Sequence, residues 1–339
     1  MKKILICYGT RPEYIKIEPL ISHDLSKYSN ISTLFTGQHE NIKTGTFEPT
    51  YSLDINKTSS SRLNSVFSTI TGSHPLDKIL NEGFTHVLVQ GDTASAFACA
   101  LAAFNKGLKV IHLEAGLRTF DKNHPYPEEV YRQCISRIAD IHLCATNCNL
   151  DNLLEEGLPA FNIHLVGNTV LDHLRSIPIS YNNEILVTLH RRENHKIIPL
   201  WYKQIEDIAE KKPKLNFTFI SHPNPRSKCE LKKNLNNTSI INPMGHKDFI
   251  NRISKCKFLI SDSGGIQEEA SFLKKRVIIC RETTERAEAL KSFHYLCKKV
   301  EDLPKIFDNT IRNYKPEAEC PFGDGRAAEK ILKILQTND

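Results

Sequence analysis

Apolar residues in this chain fall in short, nearly continuous runs. "KILICY", "ISTLFT", "HVLVQ", "KVIHL", "IHLCA" and "NIHLV" recur through the first half, and "EILVT", "NFTFIS", "SIIN", "KFLIS" and "RVIIC" through the second. A strand covered on one face alternates apolar and polar residues, whereas a run apolar throughout marks a parallel strand buried on both faces. The intervals between runs are long enough for helices, so the pattern predicts an α/β fold of doubly wound sheets. The stretch "RSIPISYNNE" (175–184) breaks it with prolines, serines and asparagines, as a linker does. That places a first Rossmann-like domain over 1–175 and a second over 183–322. The remainder, 323–339, contains "GDGRAAEKILKIL", apolar at helical spacing, and reads as a closing helix able to cross back toward the first domain.

Polar, charged or glycine residues follow almost every run at once. The series is "GTRPE", "GQHE", "GDTAS" and "EAGLR", then "HRREN", "HPNP", "PMGH", "DSGG" and "RETTER". Open parallel sheets bind ligands at the carboxyl ends of their strands, so these loops are expected to converge, with the two sheets facing across one cleft. Asp92, after "VLVQG", reads either as the cap of the helix "TASAFACALAAF" or as an acid/base group. Glu114 ends the next strand, where the competing reading is a solvated charge. Glu128 and Glu129 open a helix, where acids complement the dipole by roughly 0.3–1 kcal/mol each, which explains one of them. His190 ends the first strand of the second domain. Ser263, Gly264 and Gly265 open a helix suited to an anion, with Ile266, Ala270 and Leu273 as its buried stripe. Glu268 reads as solvated or dipole-complementing.

Composition narrows the classes. The chain has 339 residues, 40% apolar and 25% charged, which suits a soluble protein of two ordinary domains. No run approaches the ~18 apolar residues of a membrane span, so no membrane partner is expected, and the N-terminus reads as a buried strand. Ten cysteines are too few for a disulfide scaffold, and Cys7, Cys99 and Cys280 sit inside apolar runs, which points to a reducing, cytoplasmic setting. Cys144 and Cys148 lack a second matching pair, so no metal site is expected. The net charge of +6 is scattered, and "KKPK" (211–214) and "RSKCELKK" (226–233) lack interleaved aromatics, which argues against a nucleic-acid partner. There is no G-x-G-x-x-G fingerprint, and no cofactor is expected.

Nine stretches in order then carry a resemblance: "GTRPEYIKIEPL", "QGDTASAFACALAAF", "HLEAGLRT", "YPEEVYR", "VGNTV", "HRREN", "DSGGIQEEA", "RETTERAEA" and "PFGDG". The chain resembles the non-hydrolysing UDP-N-acetylglucosamine 2-epimerases, related in fold to the two-domain GT-B glycosyltransferases. The resemblance implies an isomerase that interconverts UDP-GlcNAc and UDP-ManNAc for cell-surface polysaccharide synthesis. A proton leaves C2 and UDP departs to give a bound glycal; UDP then adds back with protonation from the opposite face. It also implies a homodimer.

By the same resemblance, Asp92, Glu114, Glu128 and His190 are catalytic, with His190 helping UDP depart. Arg11 is a diphosphate ligand; Lys16 either assists it or is a helix-surface lysine, and Arg132 holds Glu128 ionised or touches substrate. Pro243, Ser263, Gly264, Gly265 and Glu269 bind the nucleotide, Glu269 through the ribose hydroxyls. Gln38 and His39 match the start of a regulatory UDP-sugar site, although "IKTGTFE" beyond them departs from the family pattern. Leu189 stands where the family carries Gly, which places a bulkier side chain close to the leaving group. Ala287 replaces a usual Pro, and the interdomain linker is short. The rivals are a hydrolysing epimerase that releases UDP and ManNAc, and an epimerase of a related UDP-2-acetamido sugar (6-deoxy-L-hexosamine or diacetamido-uronate). A GT-B glycosyltransferase and a nucleotide-sugar sensor also remain.

Overall fold

The computed structural model describes residues 2–22, 30–39, 47–53, 55, 62–72, 74–191, 194–221, 236–290 and 292–337. The basic stretch 226–233, part of "IKTGTFE", and Arg192 and Glu193 of "HRREN" lie outside the described residues. The chain divides into two compact units, 1–173 with 323–339, and 174–322.

The first unit holds strands β1 (Lys3–Tyr8), β2 (Asn30–Phe35), β3 (Tyr51–Ser52), β4 (His86–Gln90), β5 (Lys109–Ala115), β6 (Ile141–Cys144) and β7 (Ile163–Leu165). They form one sheet in the order β3-β2-β1-β4-β5-β6-β7, and every neighbouring pair runs parallel. Its helices are α1 (Arg11–Ser22), α2 (Arg62–Gly72), α3 (His74–Leu80), α4 (Ala94–Asn105), α5 (Glu128–Ile138) and α6 (Asn147–Glu155). Both faces of the sheet are buried, as the unbroken apolar runs require. Leu5, Cys7, Val87 and Val89 pack with Val66, Ile70, Cys99 and Ala103 on one face. Ile4, Ile6, Tyr8 and Leu88, one residue out of phase, pack with Ile17 and Leu20 on the other.

The second unit repeats the plan with β8 (Glu184–Thr188), β9 (Asn216–Ile220), β10 (Thr238–Ile241), β11 (Phe258–Ser261), β12 (Val277–Cys280) and β13 (Tyr295–Cys297). Its order is β10-β9-β8-β11-β12-β13, again parallel throughout. The helices are α7 (Ile198–Lys211), α8 (His246–Ile253), α9 (Gly264–Phe272) and α10 (Leu303–Arg312). Leu189 belongs to this unit's core beside Val187 and Trp201 and is 1% exposed, so its side chain is spent on packing and not on a ligand surface. Lys275 is fully buried and donates to the carbonyls of Ser180 and Cys256, with its ammonium 3.5 Å from the Tyr181 ring centre. Burial pushes its pKa down to about 8. The lysine thereby anchors part of the proline-rich stretch to this unit.

The closing helix α11 (Ala327–Thr337) belongs to the first unit. Ala328, Ile331, Leu332 and Leu335 complete the core around Ile17 and Leu20. Asp172 caps it, accepting from the Ala327 and Ala328 amides at 3.0 and 2.8 Å. Gly323, at φ +120°, leads into it; a Cβ there would lie 2.9 Å from the Gly167 Cα, so "VGNTV" and "PFGDG" meet glycine against glycine. Strands β3 and β13 were not expected from the sequence: two and three residues are too few to show a period.

His142 on β6 is 1% exposed, its Nδ1 has no partner, and its pKa is pushed down from 6.5 to about 4 by burial and then by the Arg118 charge. Protonation is disfavoured in the folded state and free in the unfolded chain. Stability therefore falls as pH drops through this window, by roughly 3 kcal/mol from this one group. Urea unfolding of wild type and His142→Leu from pH 7 to 4 should show a shallower acid loss in the variant; parallel curves would disprove the assignment.

Candidate active site

Both units reverse strand order beside their first strand, between β1 and β4 and between β8 and β11. Side chains just beyond these strands are where doubly wound sheets form crevices. In the first unit, "TRPE" is a capping box: the Glu13 Nα–H approaches Thr10 Oγ1 at 3.4 Å, while Glu13 Oε2 accepts from the Gly9 and Thr10 amides at 2.9 and 2.7 Å. The other Glu13 oxygen accepts from Thr93 Oγ1 at 2.6 Å, which ties the loop after β1 to the loop after β4. Burial raises the Glu13 pKa, against the pull of these bonds. Thr93, not Asp92, is the N-cap of α4, accepting from the Ala96 amide at 3.0 Å. Gln38 Oε1 accepts from the Ser95 amide and hydroxyl at 3.0 and 2.7 Å. His39 Nδ1 faces the Arg11 amide at 3.5 Å, with Arg11 exposed in the first turn of α1.

With capping assigned to Thr93, Asp92 is available for other work. Its carboxylate pairs with Arg132 on α5, itself 4% exposed. Glu114, at φ +66°, turns back at the end of β5, and its two oxygens take Lys16 and Gln90. The two carboxylates are close enough for the charge of Glu114 to act on Asp92. Burial raises the Asp92 pKa, Arg132 opposes this, and Glu114 adds to it. His112 fixes the turn between them: its Nε2 donates to the Gly91 carbonyl at 2.8 Å, with its pKa driven down to about 3 by burial.

The adjacent acids of α5 divide their work. Glu129 is fully buried and accepts from the Thr119 and Phe120 amides at 3.0 and 3.1 Å and from Gln133 at 2.8 Å. Glu128 is half-buried and makes no hydrogen bond or ion pair among the described residues. Arg132 therefore serves Asp92 and Glu129, not Glu128 as expected.

In the second unit α9 begins at Gly264 with Ser263 as its N-cap residue, and the Ser263 hydroxyl makes no capping bond. A Cβ on Gly264 would lie 2.8 Å from Arg286 Nη1 and 3.3 Å from Arg191 Nη2. Two guanidinium groups thus reach the first turn of a glycine-opened helix, whose amides and dipole already favour an anion. Glu268 is not solvated as expected: it is 4% exposed and pairs with Arg286 Nε at 2.7 Å. Glu285 pairs with Arg281 at 3.0 Å and Arg286 at 3.6 Å; burial alone would raise its pKa, but the two arginines hold it at about 2. Glu269 Oε1 accepts from His246 Nε2 at 2.6 Å. Pro243 is exposed between β10 and α8, and His190 follows β8. Sequence reasoning missed Glu13, Gln90, Arg191, Asp262, Arg286 and His246. The Thr-x-x-Glu of a capping box was a visible signal for Glu13, and Arg191, His246 and Arg286 stand in the strand-end motifs "HRREN", "PMGH" and "RETTER".

The UDP-N-acetylglucosamine 2-epimerase family model matches residues 24–336. The chain belongs to this family. It is an isomerase-type enzyme. A UDP-N-acetylglucosamine 2-epimerase of Salmonella borreze is 35% identical, with 98% of this chain and 97% of that protein covered. The crystal structure of UDP-GlcNAc 2-epimerase from Neisseria meningitidis, bound to UDP-GlcNAc, superposes with a TM-score of 0.87 at 31% identity, over 99% of this chain and 100% of that one. A lipopolysaccharide outer core galactosyltransferase shares the fold alone, at a TM-score of 0.62 and 14% identity over 99% of both chains.

For this epimerase-family chain, Glu13 gives a prediction about stability. In Glu13→Gln the amide oxygen keeps both backbone donors and the amide nitrogen can donate to Thr93, so the loss should stay within about 1 kcal/mol. Glu13→Met strands two buried amides and should cost about 2–4 kcal/mol. Urea midpoints at neutral pH measure the difference, and equal losses would refute the bonding scheme.

Proposed function

We propose that the chain is a UDP-N-acetylglucosamine 2-epimerase of the non-hydrolysing type. Its first unit supplies acid/base groups, and its second holds the UDP diphosphate at the N-terminus of α9. One observation carries the mechanism: two neighbouring carboxylates, each paired with its own cation, close enough to act on one another. Glu114 has both oxygens satisfied by Lys16 and Gln90, and Asp92 pairs with Arg132 while burial and the charge of Glu114 raise its proton affinity. Carboxylates coupled in this way take up and give up protons as a pair, which suits proton removal on one face and delivery on the other.

On this reading a carboxylate takes the C2 proton while the C1–O bond to UDP breaks with its electron pair going to the diphosphate. Arg191, Arg286, the α9 amides and His190 stabilise that charge, with Arg11 as a further diphosphate ligand. UDP oxygen then re-forms the bond to C1 as a second carboxylate protonates C2 from the other face. Asp92, Glu114 and Glu128 form this set, and Glu128, whose carboxylate has no partner among the described residues, is the one most open to substrate. Ser263 and Gly265 border the phosphates, and Pro243 lies near the nucleotide. Glu269 meets the ribose hydroxyls with one oxygen shared by His246. Gln38 and His39 are kept as a regulatory contact. The product serves cell-surface polysaccharide synthesis in the cytoplasm, and the protein acts as a homodimer.

UDP-GlcNAc incubated with the protein in D2O and followed by NMR should gain deuterium at C2 and yield a manno product with UDP still attached. Free UDP accumulating in step with free amino sugar would replace this reading by the hydrolysing one. Binding without exchange would point to a different sugar. Asp92→Asn and Glu128→Gln should each slow exchange by about 10²-fold or more while UDP binding persists.

Arg132 opposes the raised pKa of Asp92, so Arg132→Met should move the limb of the kcat/KM pH profile that reports Asp92 to higher pH. A profile unmoved along the pH axis would exclude Asp92 as the titrating group.

A further inference from the structure

Asp262 is the first residue beyond β11 and is completely buried. Its donors come from the segment that leaves the neighbouring strand β8. The His190 amide approaches both carboxylate oxygens at 3.1 Å, the Arg191 amide donates at 2.9 Å, and Asn194 Nδ2 donates at 2.9 Å. Asn194 Nδ2 also donates at 2.9 Å to the carbonyl of Cys280, the last residue of β12. The His190 ring stands 3.7 Å away by its Nδ1. One carboxylate and one carboxamide thus splice the ends of three adjacent strands. The segment they hold carries Arg191, whose Nη2 reaches the first turn of α9, two residues beyond Asp262 itself.

We propose that Asp262 is a positioning residue for nucleotide binding. It touches no ligand; it sets the backbone of His190 and Arg191 so that their side chains flank the anion site at the N-terminus of α9. The inference rests on the reading of that helix end as a diphosphate site. Its physical basis is acceptor geometry. Three donors converge on two oxygens, and a free backbone of this kind has no other reason to hold two consecutive amides toward one point. An apolar side chain at 262 would leave these donors unpaired, and the loop would turn them to water, taking the guanidinium with it.

The test is a double-mutant cycle read by calorimetric titration with UDP. Asp262→Asn keeps the volume but offers one oxygen to three donors. It should weaken UDP binding about tenfold, or roughly 1.4 kcal/mol, while the far-UV spectrum is preserved. In an Arg191→Ala background the same change should weaken binding less than about twofold, because the side chain that the loop presents is already gone. Hydrogen exchange of the 186–195 segment should quicken in Asp262→Asn. An equal loss in both backgrounds, or no loss in either, overturns the inference and leaves the epimerase reading standing. Wild-type protein with no affinity for UDP overturns both. If Asp262→Asn does not fold, Asn194→Ser, which releases the same loop from Asp262 and Cys280, replaces it in the cycle with the same expected pattern.

Discussion

Each unit of this protein depends on a buried carboxylate solvated by loop amides. Glu13 does this at the β1/β4 reversal and Asp262 at the β8/β11 reversal. A carboxylate removed from water costs several kcal/mol unless donors replace the lost hydration. Here the donors are backbone N–H groups and short polar side chains from the loops that leave the neighbouring strands. The requirement runs both ways. Amides at the open ends of parallel strands need acceptors, and one carboxylate satisfies several of them from a single point. Loops built like this are held by bonds near their own turning points, not by contacts along their length. Glycine at 9 lets the backbone come close enough for this arrangement in the first unit, since a Cβ there would lie 2.2 Å from Thr36 Oγ1 and 2.4 Å from Ser95 Oγ.

That rigidity explains how chemistry-bearing residues can sit beside structural ones in the same loop. Thr93 takes the cap of α4, which releases Asp92. Glu129 takes the amides of Thr119 and Phe120, which leaves Glu128 uncommitted. Glu268 takes Arg286 and turns its guanidinium to the helix end, which leaves Glu269 to face His246. On the proposed chemistry, one member of each pair satisfies the fold and its neighbour in sequence is left for the ligand. The cost of holding a functional group is met by the residue next to it.

The same pairs mark where sequence reading stops. The sheets were legible because a strand buried on both faces must be apolar throughout, and the loops were legible because they follow such strands. Helix starts at Ser263 and Glu128 were legible from glycine and acid placement. Which of two adjacent side chains turns inward was not. Consecutive helical residues point about 100° apart, and only a tertiary partner distant in sequence selects one of them. Arg286 selects Glu268 from 18 positions away, and the Thr119 amide selects Glu129 from 10. Leu189 was misread for the converse reason: a strand-end residue beside polar loops still faces the core if its phase matches Val187. Asp262 was not legible from the sequence because its partners lie about 70 residues earlier.

The coupling of Asp92 to Glu114 bears on how a reversible epimerase returns to its starting state. Interacting carboxylates do not titrate independently: a proton gained by one lowers the demand of the other. With Lys16 and Gln90 on Glu114 and Arg132 on Asp92, each group has its own stabiliser of the ionised form, and burial works against ionisation of Asp92. A proton removed from one face of a sugar carbon must be matched by one delivered to the other, in either direction of the reaction. Two acids of very different proton affinity favour one direction. Two acids coupled through a short distance, each with a cation to hold it ionised when its partner takes the proton, exchange roles at little energetic cost. On the proposed chemistry, the cations beside Asp92 and Glu114 thus do more than neutralise charge: they keep the forward and reverse proton inventories equivalent.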